Sequence, residues 1–144
     1  MNGSTEMFKE WVNRLGLSDW RIKFYPCCSP DEMGEGCTGL TTWQEVNKTA
    51  KIQILDPQYY GERVVPFDFE KTLVHELLHL KTCLISDTEN ELQERLMHQM
   101  IDDIARAMVD AKGKDVSNDR VRQRTNCEGY QRIGMLQGNS HIFV

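Results

Sequence analysis

An α+β fold is predicted by three features of the chain: an amphipathic opening segment, three strand-like runs between residues 20 and 55, and two long stretches of helical apolar spacing after them. At 144 residues, 40% hydrophobic and 27% charged, the sequence has the size of one domain and the composition of a globular one. No apolar run approaches the roughly 18 residues needed to cross a bilayer. The first residues lack the basic start and apolar stretch of a secretory signal, so a cytoplasmic location and no membrane partner are expected.

The first helix is expected at about residues 5–15. Ser4-Thr5-Glu6 offers an N-cap, Met7, Trp11, Val12 and Leu15 repeat at helical spacing, and Gly16 follows as a stop. Trp20 to Tyr25 alternates polar and apolar residues until Pro26, as a half-buried strand does. Cys27 to Gly39, rich in Gly, Ser, Pro and acidic residues, reads as a loop. Leu40 to Val46 and Thr49 to Leu55 predict a hairpin turning at Asn47-Lys48 and closed by Asp56-Pro57. Phe69, Leu73, Leu77, Leu80 and Leu84 mark a helix within Phe67 to Leu84, with Asp68 near its N-cap. A last helix, about Thr88 to Lys112, carries Leu92, Leu96, Met97, Met100, Ile101, Ile104 and Met108 as one stripe and stops at Gly113.

The architecture expected is therefore an N-terminal helix, a short three-stranded sheet, and two helices packed on one sheet face. A domain over residues 1–113 is followed by a polar tail, 114–144. Net charge is −5, but residues 112–144 hold 6 basic and 3 acidic side chains against 11 and 19 in residues 1–111. This locally basic tail falls short of a nucleic-acid-binding stripe, so no nucleic-acid partner is expected. Cys27, Cys28, Cys37, Cys83 and Cys127 are odd in number and irregularly spaced, which predicts free thiols.

The chemistry-bearing segment is His75-Glu76-Leu77-Leu78-His79. Residues four apart on a helix share a face, roughly 5–6 Å between Cβ atoms, so His75 and His79 can direct both imidazoles at one ion. Neutral imidazole suits zinc, and one Zn2+ is the expected cofactor. Glu76, about 100° round the helix, is placed to act as general base toward a water activated by that metal. A third ligand has to come from elsewhere. Along the last helix Glu91, Glu94 and His98 fall on one edge of the apolar stripe; His98 is the first choice, Glu94 the second and Glu91 the third, with His141 in the tail a distant fourth.

At these residues the chain resembles zincin-type metallopeptidases, in particular the minimal gluzincin-like domains of SprT-like and phage-encoded metallopeptidases. The resemblance runs from Asp19-Trp20-Arg21-Ile22 through Thr49 to Ile54 and Glu70 to Leu80 to Ile101 to Ala107. It implies a sheet preceding the metal helix, an edge strand that pairs with an extended peptide or protein substrate, and a third ligand on the next helix. Two departures stand out. The third ligand of gluzincins is usually glutamate, whereas His98 occupies the best-aligned position here, and the tail has only Cys127 where SprT-like proteins carry a zinc ribbon. Trp43, Tyr59 and Tyr60 are weak candidates for the substrate cleft. The function expected is zinc-dependent peptide-bond hydrolysis; the competing expectation is a non-catalytic zinc-binding interaction module.

Overall fold

Thr49–Leu55 is the most buried of the strands and takes the middle of the sheet, where both edges must be paired. The computed structural model describes residues 3–86 and 90–122. In chain order these form α1 (Gly3–Arg14), β1 (Arg21–Cys28), the short α2 (Pro30–Met33), β2 (Gly39–Gln44), β3 (Thr49–Leu55), a 3-10 turn (Pro57–Tyr59), α3 (Phe69–Ser86) and α4 (Glu91–Arg122). The fold is α+β, as the sequence predicts. The sheet order is β1-β3-β2, with β2 antiparallel to β3 across the expected hairpin and β1 parallel to β3.

Alternation along the strands sorts their side chains. Ile22 and Phe24 of β1, Ala50, Ile52 and Ile54 of β3, and Gly39, Thr41 and Trp43 of β2 are in register on one face. The apolar members of this set pack with Trp11, Leu15 and Leu17 from the α1 region, Leu73, Val74, Leu77 and Leu80 of α3, and Ile101 and Ala105 of α4 in the main core. α3 lies on β2 and β3, α1 packs on α3 and β1, and α4 runs along α3. The other sheet face is covered in part by a smaller cluster of Cys28, Met33, Leu55 and Tyr60.

The helix ends follow local chemistry. Gly16, at φ +63°, closes α1 with Leu17 N–H donating to Val12 O and Gly16 N–H to Asn13 O, a Schellman pair. Asp68 caps α3 by accepting from the Lys71 amide at 2.9 Å. Asn90 caps α4 by accepting from the Leu92 amide at 2.9 Å. The three long helices are joined by one polar knot: Trp11 Nε1 donates to Glu70 at 2.7 Å, and Lys112 bridges Glu70 and Glu10 while lying over the Trp11 ring.

Four expectations need correction. β1 continues past Pro26 to Cys28, because the register slips by one residue between Tyr25 and Cys28 and this bulge on an edge strand needs no donor from proline. The loop from Cys27 contains α2, nucleated by Ser29-Pro30-Asp31-Glu32: the Ser29 amide donates to the Glu32 carboxylate at 2.8 Å, and Pro30 stands at the first helical position. α4 does not stop at Gly113, which takes no positive φ; the helix runs on to Arg122, across the expected domain boundary. The apolar stripe of α4 splits in two. Met97, Ile101 and Met108 face the core, while Leu92 (64% exposed), Leu96 (54%), Met100 (44%) and Ile104 (40%) point outward, one residue or about 100° round the helix from the row Met97, Ile101 and Ala105 that meets the core.

The expected start of α4 at Thr88 lies outside the described residues; within them the helix begins at Glu91. The tail residues 123–144, with Cys127 and His141, also lie outside. Cys27, Cys28 and Cys37 are free thiols, and the Cys83 thiol is buried on α3, donating to Leu80 O at 3.3 Å. Among the described residues no helix is long and apolar enough to cross a membrane.

The continuous α4 is open to a simple test. A Cβ on Gly113 meets nothing within 4 Å, so Gly113→Ala should stabilise the protein by about 0.5–1 kcal/mol in urea unfolding. Gly16→Ala, forced to a positive φ, should destabilise it by a similar amount. A loss of stability in Gly113→Ala would mean that the helix ends there.

Candidate metal centre

Fixed spacing on α3 and the crossing of α4 over it create the site. His75 and His79 are one helical turn apart, with ring centroids 5.1 Å from each other. α4 brings His98 against both, its centroid 5.8 Å from that of His75 and 4.9 Å from that of His79. One ring nitrogen from each of the three lies within 4.8 Å of the others, so His75, His79 and His98 are close enough to bind one metal ion.

The polar bookkeeping of the site supports a ligand there. Among the described residues, the buried side-chain atoms without a hydrogen-bond partner are Nδ1 and Nε2 of His75, Nε2 of His79, Nδ1 of His98, Oε1 of Glu76, Oδ1 of Asp102 and, on the strand side, Oγ1 of Thr38. Orphaned buried polar groups are rare and costly, and here most of them belong to three converging imidazoles and their neighbours. An ion taking one nitrogen from each ring removes that penalty for three of the four orphaned nitrogens.

Protonation is tuned the same way. Burial, reinforced by His75 and His98, pushes the His79 pKa down to about 3. Burial and His75 also lower that of His98, which Glu94 partly offsets. A neutral imidazole is the form that binds metal. Behind His75, its Nδ1 faces Asp102 Oδ1 at 3.5 Å, and Asp102 Oδ2 is held by Lys71 Nζ and Arg106 Nη2, each at 3.1 Å. Burial raises the Asp102 pKa, but His75 and Lys71 more than offset it, so the carboxyl stays ionised below its ordinary range. An anionic partner at Nδ1 fixes the tautomer that presents Nε2.

Glu76 is fully buried. Burial drives its pKa up, against the opposing pull of His75 and of a hydrogen bond from Thr41. The Thr41 hydroxyl donates to Glu76 Oε2 at 2.6 Å. Trp43, two residues further along β2, lies over His79 with centroids 6.3 Å apart and planes 14° apart.

Of the residues singled out from sequence, the structure thus brings together His75, Glu76, His79 and His98, with Trp43 at the margin. Glu94 is exposed beside His98, and Glu91 is exposed and 3.9 Å from Arg95, so neither joins the nitrogen cluster. Tyr60 packs on Phe67 under Arg63 in the smaller core cluster, and Tyr59 is exposed on the 3-10 turn. Asp102 and Thr41 were not singled out. The signal for Asp102 was its place one turn beyond His98; for Thr41 no local signal existed, because its partner is 35 residues away. Compared with protein-family models, curated proteins and solved structures, the chain matches none.

The geometry makes two predictions. In equilibrium dialysis with zinc, His98→Ala should lose more affinity than Asp102→Asn, for which roughly 10–100-fold is expected, while Glu94→Ala stays near wild type. A Glu94→Ala defect equal to that of His98→Ala would reassign the ligand. The metal-free protein should also lose stability in acid. His79 titrates at about 3 when folded and at the ordinary 6.5 when unfolded, so between these values the unfolded chain holds the extra proton. Unfolding free energy should then drop as pH is lowered, by up to about 1.4 kcal/mol per pH unit for this one group. His98 adds in the same direction. Glu76, its pKa raised by burial, works the other way, so the test uses Glu76→Gln: urea curves of that variant that coincide at about pH 7 and about pH 5 would contradict buried neutral imidazoles.

Proposed function

We propose that the protein is a zinc-dependent peptidase in which His75, His79 and His98 hold the ion and Glu76 is the general base. The observation that carries this reading is the conjunction of three metal-competent imidazoles with a buried carboxylate next in sequence to one of them. Three neutral nitrogen donors suit zinc and leave a fourth position for water or substrate. When bound there, zinc supplies Lewis acidity toward that water and toward a peptide carbonyl.

The chain's own groups do the rest. Glu76 in a dry site, its pKa raised by burial, is a stronger base than an exposed carboxylate and can take the proton of the attacking water and return it to the leaving amine. Asp102 keeps the His75 ring oriented. β2 is an edge strand running past the site, and an extended peptide added to it would pass Trp43 and the His79 ring. These features agree with the resemblance to minimal gluzincin-like domains, with histidine in place of the usual glutamate as third ligand.

The test compares wild type with Glu76→Gln, both loaded with one equivalent of zinc, on casein and on a quenched-fluorescence peptide library. Glu76→Gln should keep its zinc and lose at least roughly 100-fold in kcat. Equal cleavage by both would remove Glu76 from the mechanism. Absence of cleavage by either, with zinc retained, would favour the zinc-binding interaction module.

A further inference from the structure

The edge strand does more than flank the histidines. Residues 39, 41 and 43 of β2 project in turn onto the metal-site side of α3, and each meets a different part of it. Trp43 lies over His79. Thr41, itself buried, has its hydroxyl 2.6 Å from Glu76 Oε2 and 3.1 Å from the Glu76 carbonyl oxygen. Gly39 packs so closely that a Cβ there would stand 2.3 Å from Glu76 Oε1 and 2.7 Å from both Cδ and Cγ, separations that real Cβ atoms do not show.

We propose that Thr41 is the positioning residue for the Glu76 carboxylate and that Gly39 is the space it requires. This inference rests on the reading of Glu76 as general base. A glutamate has three side-chain torsions and loses up to about 2 kcal/mol of rotamer freedom when fixed. On a helix alone Glu76 would have no reason to keep one orientation. The Thr41 hydroxyl carries a single proton, and at 2.6 Å the carboxylate oxygen takes it in preference to the carbonyl at 3.1 Å. That bond engages Oε2. Oε1 is left as the carboxylate oxygen without a protein donor, with its lone pairs free to accept a proton. Gly39 prevents the alternative in which strand and helix separate to make room, which would stretch the Thr41 bond. Orientation of the base is thereby set from the sheet, by two residues that touch neither metal nor the histidine nitrogens.

The experiment measures kcat, KM and zinc stoichiometry for Thr41→Val, Thr41→Ser and Gly39→Ala on the best peptide found for wild type. Thr41→Val keeps the shape and removes the hydroxyl; we expect kcat to fall at least roughly tenfold, with KM within about twofold and one zinc retained. Thr41→Ser, which restores a hydroxyl, should recover most of the rate. Gly39→Ala should lose kcat in the same way with the hydroxyl intact, and it carries the test should Thr41→Val fail to fold. In a Glu76→Gln background, Thr41→Val should change the residual rate by less than about twofold, because the group it orients is gone. A folded, zinc-loaded Thr41→Val with kcat within about twofold of wild type would overturn the inference and leave the peptidase reading intact. So would a rate loss that Thr41→Ser does not recover or that tracks lost zinc. A wild type that cleaves nothing would overturn both.

Discussion

Gathering three imidazoles and two carboxylates in one largely buried place is the constraint on which the rest of the structure depends. An unsatisfied buried polar atom costs about 1–3 kcal/mol, against a net stability of about 5–15 kcal/mol for a whole domain. His75, Glu76, His79, His98 and Asp102 each carry at least one such atom. The surroundings hold them there by force of packing: the α3 segment from Lys71 to Leu80 is buried throughout, and Ile101 and Ala105 anchor α4 on either side of Asp102. The knot of Trp11, Glu70, Glu10 and Lys112 ties α1 and the far part of α4 to the start of α3. Burial there is weaker, and the Lys112 ammonium is kept charged by two carboxylates whose pull exceeds the cost of its partial desolvation.

The site has two halves with different physics. The helical half supplies nitrogen donors at spacings that follow from α-helix geometry, one turn within α3 and one crossing between α3 and α4. The strand half supplies contacts at two-residue spacing, so that Gly39, Thr41 and Trp43 reach successive parts of one helix face. A hydroxyl, an empty space and an aromatic ring are what the strand contributes, and none of them is a metal ligand. Such a division lets the donor set and the base be tuned by different elements.

This division also explains what could be read in advance. His75, Glu76 and His79 were legible because their relation is local and helical. His98 was legible once a third donor was required, since the angular count along α4 placed it on the right edge, although Glu91 and Glu94 lay on the same edge and only the actual crossing separates them. The hairpin, Asp68 as a cap and the stop at Gly16 were legible for the same local reason. Thr41 and Gly39 were not, because nothing near them in sequence announces a partner 35 residues away on another element. Gly113 misled because glycine ends a helix only where the chain turns left-handed, and the chain around it continues straight. The outward ridge of α4 misled because apolar periodicity marks a face without saying how much of it a single neighbouring helix can cover.

The strand order has a bearing on how the chain acquires this shape. β3, last of the three in sequence, sits between the other two, so β1 finds no partner until the chain has reached residue 55. The hairpin of β2 and β3 closes over a short turn and is cheap in loop entropy, whereas the parallel docking of β1 joins partners such as Arg21 and Thr49, 28 residues apart, and comes at greater cost. Hairpin first and β1 second is therefore the favoured sequence of events, with α1 carried into place by the strand it follows. Glu76 meets β2 across 35 residues of chain, so the threonine and the glycine it packs on belong to the hairpin whose closure is cheapest, while the carboxylate itself comes from the helix beyond it.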